Sequence, residues 1–345
     1  MSARSRFFRF QQALPPYPGS KWWSLPAIFG LAESERPRHT WPDLTFCDPF
    51  LGGGAVSVAG KAQGFGLVLA NDLAERSALT GRALVANSSV PLTSHTVLRL
   101  YEAPPLLNLA PPQLLNRLPQ EQRDFLDRAW RHLLGGTYSG VEGDLIALLL
   151  VKWMCRYFPL GLPGATDAPR IVGGDFDNVT GPRLAHYMRR GRYLLQPGTL
   201  LAMAQQINRG IIPGEAQVFQ MDVFDFLPTV KADIVYLDPP YPNTQDYGHA
   251  FGLIDEFLGQ GPLPASAFSS RKPPLDDLLA ACNHIPVLVM SLGNALLDEE
   301  QVGELVARHR RVRRVLSLPY RHYRSVASRE KNLSNREFLV LATND

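Results

Sequence analysis

The chain has 345 residues, a net charge of +3, 45% hydrophobic and 19% charged residues. It is long enough for one large α/β domain plus a smaller inserted or appended one, and so small a net charge carries no global statement about partners, so its distribution matters more. Cys47, Cys155 and Cys282 lie far apart, a spacing that excludes a zinc or disulfide framework and implies a reducing compartment.

The start, Met1–Gln12, is basic and aromatic but has no apolar signal core, and the longest apolar run, Leu145–Val151, is too short to span a bilayer. A cytoplasmic protein is expected. Tyr17-Pro18-Gly19-Ser20-Lys21 then leads into Trp22–Leu31, an apolar stretch of helical character. Alone, a Pro-Gly pair before a helix is ordinary turn chemistry.

Leu44–Cys47 predicts a strand, followed by Asp48-Pro49-Phe50-Leu51-Gly52-Gly53-Gly54 and a helix over Ala55–Gln63. Glycines there let a ligand approach the backbone, and the helix N-terminus offers free N–H groups. The pattern is not the G-x-G-x-x-G dinucleotide fingerprint. A second strand, Gly66–Ala70, ends in Asn71-Asp72. An acidic residue about twenty residues past a glycine turn is placed to accept ribose hydroxyls. The competing task for Asp72 is capping a helix over Leu73–Val85.

From about Asn87 to Gly214 the α/β alternation stops. Helical patterns cover Glu121–Leu134 and Glu142–Phe158, set among proline- and glycine-rich connectors. Between Gly181 and Ile212 lie Arg183, Arg189, Arg190, Arg192 and Arg209 and no acidic residue, with tyrosines flanking the arginines at Tyr187 and Tyr193. Such interleaving suits a nucleic acid's backbone and bases, although a solvated basic loop has the same composition.

The alternation resumes with a strand over Ala216–Met221 that ends at Asp222, with Phe224 and Phe226 just after. The apolar run Ala232–Leu237 predicts a buried strand that stops at Asp238-Pro239-Pro240-Tyr241, because consecutive prolines cannot continue a ladder. A carboxylate, prolyl carbonyls and an aromatic ring are thus presented together at a strand's C-terminal end, where open α/β sheets bind ligands. A planar amine can donate to Asp238 and the Pro239 carbonyl while Tyr241 stacks on its ring. That suits a nucleobase held outside the duplex. The polar segment Pro242–Tyr247 borders this site. Strands over Ile285–Ser291, Val312–Leu318 and Glu337–Ala342 and a helix over Leu297–His309 complete the chain. Between Arg308 and Lys331 there are eight arginines and one lysine against Glu330.

Taken in order, Tyr-Pro-Gly-Ser-Lys, Asp-Pro-Phe-Leu-Gly-Gly-Gly, Asn-Asp, Asp222 and Asp-Pro-Pro-Tyr resemble the Dam-type, alpha-group DNA adenine N6-methyltransferases. In that family a target-recognition domain is inserted before the Asp-Pro-Pro-Tyr element. The resemblance covers roughly 10–85 and 216–345, whereas 86–215 matches only in position and basic character. It implies a Rossmann-like, S-adenosylmethionine-dependent methyltransferase sheet with an antiparallel last strand. The catalytic domain would comprise 1–85 and 216–345, with 86–215 an inserted, mostly helical target-recognition domain. By motif, Tyr17, Gly19 and Lys21 meet the cofactor's methionine part, and Asp48, Phe50, Gly52 and Gly54 form its turn. Asp72 holds the ribose, Asp222 lies by the adenine, and Asp238, Pro239, Pro240 and Tyr241 hold the target base. Expected DNA contacts are Arg189, Arg190, Arg192, Tyr247, Arg321 and Arg324. Double-stranded DNA and a cognate restriction endonuclease are the implied partners, and no metal or membrane is required. The insert lacks a clear copy of the Dam-type recognition segment, so no target sequence follows. N4-cytosine, RNA or protein methylation and a non-catalytic DNA-binding relative are the alternatives.

Overall fold

The computed structural model describes residues 10–17, 19–157, 191–241, 247–261, 263, 266–270, 272–295, 297–319 and 335–344, without the side chains of 117, 247–250 and 269. Seven strands form one sheet: β1 Thr45–Asp48, β2 Leu67–Asn71, β3 Glu215–Phe219, β4 Ile234–Leu237, β5 Val287–Gly293, β6 Arg311–Pro319 and β7 Arg336–Thr343. Their order is β3-β2-β1-β4-β5-β7-β6. The first five in this order pair in parallel, and β7 runs antiparallel to both β5 and β6. This is the α/β sheet with an antiparallel last strand that the resemblance implied.

Sequence explains the centre of the sheet. β4 is Ile-Val-Tyr-Leu with every residue buried, as a parallel strand covered on both faces requires. Phe46 pairs with Ile234 and Cys47 with Val235, so Asp48 and Asp238 leave adjoining strands at the same end. Strand order reverses between β1 and β4, the crevice in which such sheets bind ligands.

Helix α1 spans Leu25–Glu35, α2 Ala55–Gln63 and α3 Glu75–Thr80. The bounds of α2 are those expected from sequence, set by Gly54 and Gly64 with φ of 80° and 90°, a backbone region that favours glycine. The helix expected over Leu73–Val85 instead starts at Glu75 and widens into a π turn over Gly81–Ala86. The buried Lys61 stabilises the end of that turn by donating to the Val85 and Asn87 carbonyls at 2.6 and 2.9 Å.

Among the described residues, the regular structure between 87 and β3 is helical: a short helix Ser94–Leu98, then α4 Gln120–Leu134, α5 Gly140–Tyr157 and α6 Pro197–Asn208. These helices share the core of the sheet. Leu148, Trp153 and Met154 of α5 are fully buried in one cluster with Phe46, Val68 and Leu79. Lys152 of α5, also buried, donates to the Gln12 and Leu14 carbonyls at 2.6 and 2.9 Å, anchoring the segment that leads to Tyr17 and Lys21. Burial pushes its ammonium down to about 7.

Two features differ from the sequence reading. Within the basic stretch Gly181–Ile212, α6 is an ordered helix that starts at Pro197 and buries Leu200, Met203, Ala204 and Ile207 at helical spacing. Tyr247 opens a helix, α7 Tyr247–Phe257, rather than closing a polar border. After α8 Leu275–Ala281 and α9 Glu299–Ala307, part of the arginine-rich stretch is structural. Arg308 pairs with Asp276 at 2.8 Å, and the buried Arg310 donates to the Ile285 and Cys282 carbonyls.

Gly66, just ahead of β2, lies under the Pro42 carbonyl, whose oxygen would sit 2.2 Å from an added Cβ. Gly66→Ala is expected to lower stability by about 1–3 kcal/mol through overpacking alone. A urea midpoint equal to wild type would contradict this.

Candidate active site

The prolines after β4 remove two ladder donors and turn the chain out of the sheet, placing Asp238 and Tyr241 near the segment from Gly19 to Lys21. The buried Lys21 ammonium is the meeting point. Its Nζ lies 3.0 Å from Asp238 Oδ1 and 3.2 Å from Glu337 Oε1, and it donates to the Tyr241 hydroxyl at 2.8 Å and the Gly19 carbonyl at 3.2 Å. It also sits 4.7 Å from the centre of the Tyr241 ring. The hydroxyls of Tyr241 and Ser291 both donate to Glu337 Oε1. Glu337 is fully buried, and its Oε2 has no hydrogen-bond partner.

Burial raises the Asp238 carboxyl to about 6, with Lys21 pulling it down and Glu337 pushing it up. The Tyr241 hydroxyl is raised for the same reason, by burial and the nearby carboxylates Asp238 and Glu337. Thus Lys21, expected at the cofactor, touches the residues expected at the base.

The glycine turn lies beside this cluster. Its shape is set by Asp72 and Tyr17. Gly52 N–H donates to Asp72 Oδ2 at 2.8 Å, while Ala74 N–H donates to Oδ1 at 3.0 Å. Asp72 therefore both ties the turn to the end of β2 and steadies the approach to α3. The Tyr17 ring covers the turn so closely that a Cβ on Gly53 would lie 2.6 Å from Tyr17 Cβ. Tyr17 in turn stacks on Phe251 of α7, with centroids 5.9 Å apart. Arg76 of α3 forms a buried ion pair with Asp255 of α7, so α7 is held both by the ring that covers the turn and by α3.

Asp48, at the end of β1, is buried. Ser57 donates to its Oδ2 at 2.6 Å, and Oδ1 has no hydrogen-bond partner. Burial, aided by repulsion from Asp238 and Asp72, raises its carboxyl to about 7 against the Ser57 hydrogen bond. Asp222 is exposed beyond β3 and accepts from the Phe224 amide at 2.8 Å. Phe50 and Phe224 converge on Phe268, edge-on at 5.4 Å and stacked at 5.9 Å respectively. The turn, Asp48, Asp72, Asp222 and the tetrapeptide all occupy the C-terminal edge of the parallel strands.

Arg189, Arg190, Arg321 and Arg324 and the side chain of Tyr247 lie outside the described residues. Arg192 is exposed ahead of α6. Glu337, Ser291 and Phe268 are residues that the sequence reading did not single out. One signal for Glu337 was available, an acid heading the apolar run Phe338–Ala342. Among the described residues there is no group of His, Cys, Asp and Glu that would hold a metal, and no helix is long and apolar enough to cross a membrane.

Two stability outcomes follow from the buried charges. Lys21→Met leaves Asp238 and Glu337 without their cation and is expected to cost about 3–5 kcal/mol near neutral pH. The deficit should shrink below about pH 6, where Asp238 takes up a proton, and urea unfolding across pH measures this. For Asp48 the folded value of about 7 lies above the ordinary 3.8. Its carboxyl is fully compatible with folding below the lower value, and stability is lost as pH rises through the upper one. Asp48→Asn should therefore melt above wild type at about pH 8, with the gap closing toward about pH 4.

The comparisons with known proteins bear on this edge of the sheet. A family profile described as D12 class N6 adenine-specific DNA methyltransferase matches residues 17–116, from Tyr17 through the glycine turn and Asp72. The type II methyltransferase M.NlaIII of Neisseria lactamica is 23% identical over 311 residues, covering 85% of this chain and 88% of its own length. The type II methyltransferase M2.HphI of Haemophilus parahaemolyticus is 24% identical over 314 residues, with coverage of 87% and 90%. Among solved structures, the rRNA methyltransferase aviRa from Streptomyces viridochromogenes spans 99% of this chain and 93% of its own at 14% identity. Its TM-score is 0.37, too loose a likeness to bear on function. In the profile match over residues 17–116, the two relatives and the shared motif order, the chain is similar to the D12 class of N6 adenine-specific DNA methyltransferases.

Proposed function

We propose that this chain transfers a methyl group from S-adenosylmethionine to the N6 amine of an adenine extruded from duplex DNA, with Asp238, Pro239, Pro240 and Tyr241 holding the base. The observation that carries this reading is the position of Asp238 and Tyr241. They lie at the C-terminal end of β4, beside the strand-order reversal and joined through Lys21 to the segment that precedes the glycine turn.

The residues at the edge fit the donor. Asp48 keeps a buried oxygen without a partner, and Asp222 is an exposed acceptor near a half-buried Phe224. Asp72 uses each oxygen once and retains lone pairs for ribose hydroxyls. Phe50, Gly52 and Gly54 would hold the cofactor with these acids, and Tyr17, Gly19 and Lys21 would close the methionine end. The donor supplies an activated methyl on a sulfonium.

The chain's own contribution is orientation. An adenine amine is a weak nucleophile because its lone pair is delocalised into the ring. Hydrogen bonds from its N–H groups to Asp238 and the Pro239 carbonyl draw the nitrogen toward tetrahedral geometry and free that lone pair. Alignment with the methyl then supplies much of the rate, and the carboxylate stabilises positive charge that grows on nitrogen. Asp238 acts best ionised, yet it need not be a strong base, because the amine becomes acidic once alkylated. Lys21 holds Oδ1, so the second oxygen is the one offered to the amine. Extrusion is required because N6 is unreachable inside the stack.

The insert is proposed to read the target sequence, using Arg192 with Arg189 and Arg190. Tyr247, Arg321 and Arg324 would supply further DNA contacts, and a cognate restriction endonuclease would be the partner in the cell. Expression in cells without adenine methylation, followed by single-molecule sequencing, tests the reading. N6-methyladenine in one short motif is expected. Asp238→Ala should reduce it on the order of 100- to 1,000-fold while the protein still binds S-adenosylhomocysteine. N4-methylcytosine, or full activity in that variant, would overturn the assignment.

A further inference from the structure

Glu337 heads β7 opposite Gly293 of β5 and Leu318 of β6, in the interior of the sheet. A strand of this kind needs no carboxylate there. Burying one with an unpartnered oxygen is unfavourable, and it points to a task beyond packing. What the carboxylate touches defines that task. The Lys21 ammonium has three N–H donors, and among the described residues at least four acceptors surround it: Asp238, Glu337, the Tyr241 hydroxyl and the Gly19 carbonyl. Glu337 therefore competes directly with Asp238 for Lys21. It also receives the Tyr241 hydroxyl proton, which fixes that ring against the Gly293 backbone, where an added Cβ would lie 3.0 Å from the ring.

Building on the adenine-methylation reading, we propose that Glu337 is a positioning residue for methyl transfer. By sharing Lys21 with Asp238 and accepting from Tyr241, it sets both groups that hold the target base. With Glu337 neutral, the ammonium closes onto Asp238 and withdraws it from the amine. With its acceptor removed as well, the Tyr241 ring loses its orientation.

The groups that face Asp238 are Lys21 from the N-terminal segment, Asp48 from β1, Tyr236 of β4, Tyr241 and Glu337 of β7. Of these, Glu337 is a negative neighbour that raises Asp238. Its neutralisation should thus move Asp238 down, and a profile that needs ionised Asp238 moves with it.

The test compares Glu337→Gln, which keeps an acceptor for both hydroxyls, with Glu337→Ala, which does not. Full-length protein, unmethylated genomic DNA and S-adenosylmethionine are used, with Asp238→Ala as the control. Glu337→Ala should lower kcat on the order of 100-fold with KM for DNA little changed. Glu337→Gln should lose less and shift the acid limb of kcat to lower pH. Both should bind S-adenosylhomocysteine as wild type does, measured by calorimetry. Wild-type kcat and an unshifted limb in Glu337→Gln would overturn the proposal, and so would failure of both variants to fold, which would make Glu337 a structural ion. An active Asp238→Ala would instead sink the functional reading beneath it.

Discussion

A single buried ammonium holds the site together. Lys21 comes from the segment ahead of α1, Asp238 and Tyr241 from the extension of β4, and Glu337 from the head of β7. These parts are far apart in sequence; sheet pairing brings β4 and β7 to either side of β5, and the charge joins them there to the N-terminal segment. Two carboxylates facing one cation in a poorly solvated place are a demanding arrangement, since removing any partner leaves an uncompensated charge. Tyr241, Ser291 and the Gly19 carbonyl supply further hydrogen bonds that offset part of this cost. The tetrapeptide proposed to hold the base is therefore fixed in shape before any substrate arrives, as positioning catalysis requires.

A second set of constraints shapes the turn proposed for the cofactor. Asp72 bridges the turn and the start of α3, and the Tyr17 ring lies on Gly52 and Gly53. Glycine is needed at Gly53 because an aromatic side chain approaches it, as well as for any ligand. Tyr17 and Arg76 reach the same helix, α7, through Phe251 and Asp255. Because α7 follows the tetrapeptide in the chain, the two halves of the proposed site are mechanically joined by contacts on both sides.

The helices of residues 86–215 belong to this arrangement. Lys152 of α5 anchors the Gln12 and Leu14 carbonyls, a few residues before Tyr17. The proposed recognition region is thus in contact with the segment that places Lys21.

The sequence by itself determined the parts with strong local signals. Apolar runs marked the strands, glycines bounded α2, and two prolines ended β4 at Asp238, because local backbone chemistry allows little else at those positions. The motif order was enough to indicate the sheet and the chemistry. Other features depended on partners distant in the chain. Gly81 meets Leu51 and Val218 in the folded chain, and the predicted long helix becomes a π turn there. The helical spacing of α6 was legible but masked by its basic surroundings. Glu337 looked like the polar first residue of a strand, because nothing nearby in sequence marks it as the partner of Lys21. Only the folded sheet brings β7 beside β5 and the β4 extension, and long-range electrostatics then gives that carboxylate its neighbours.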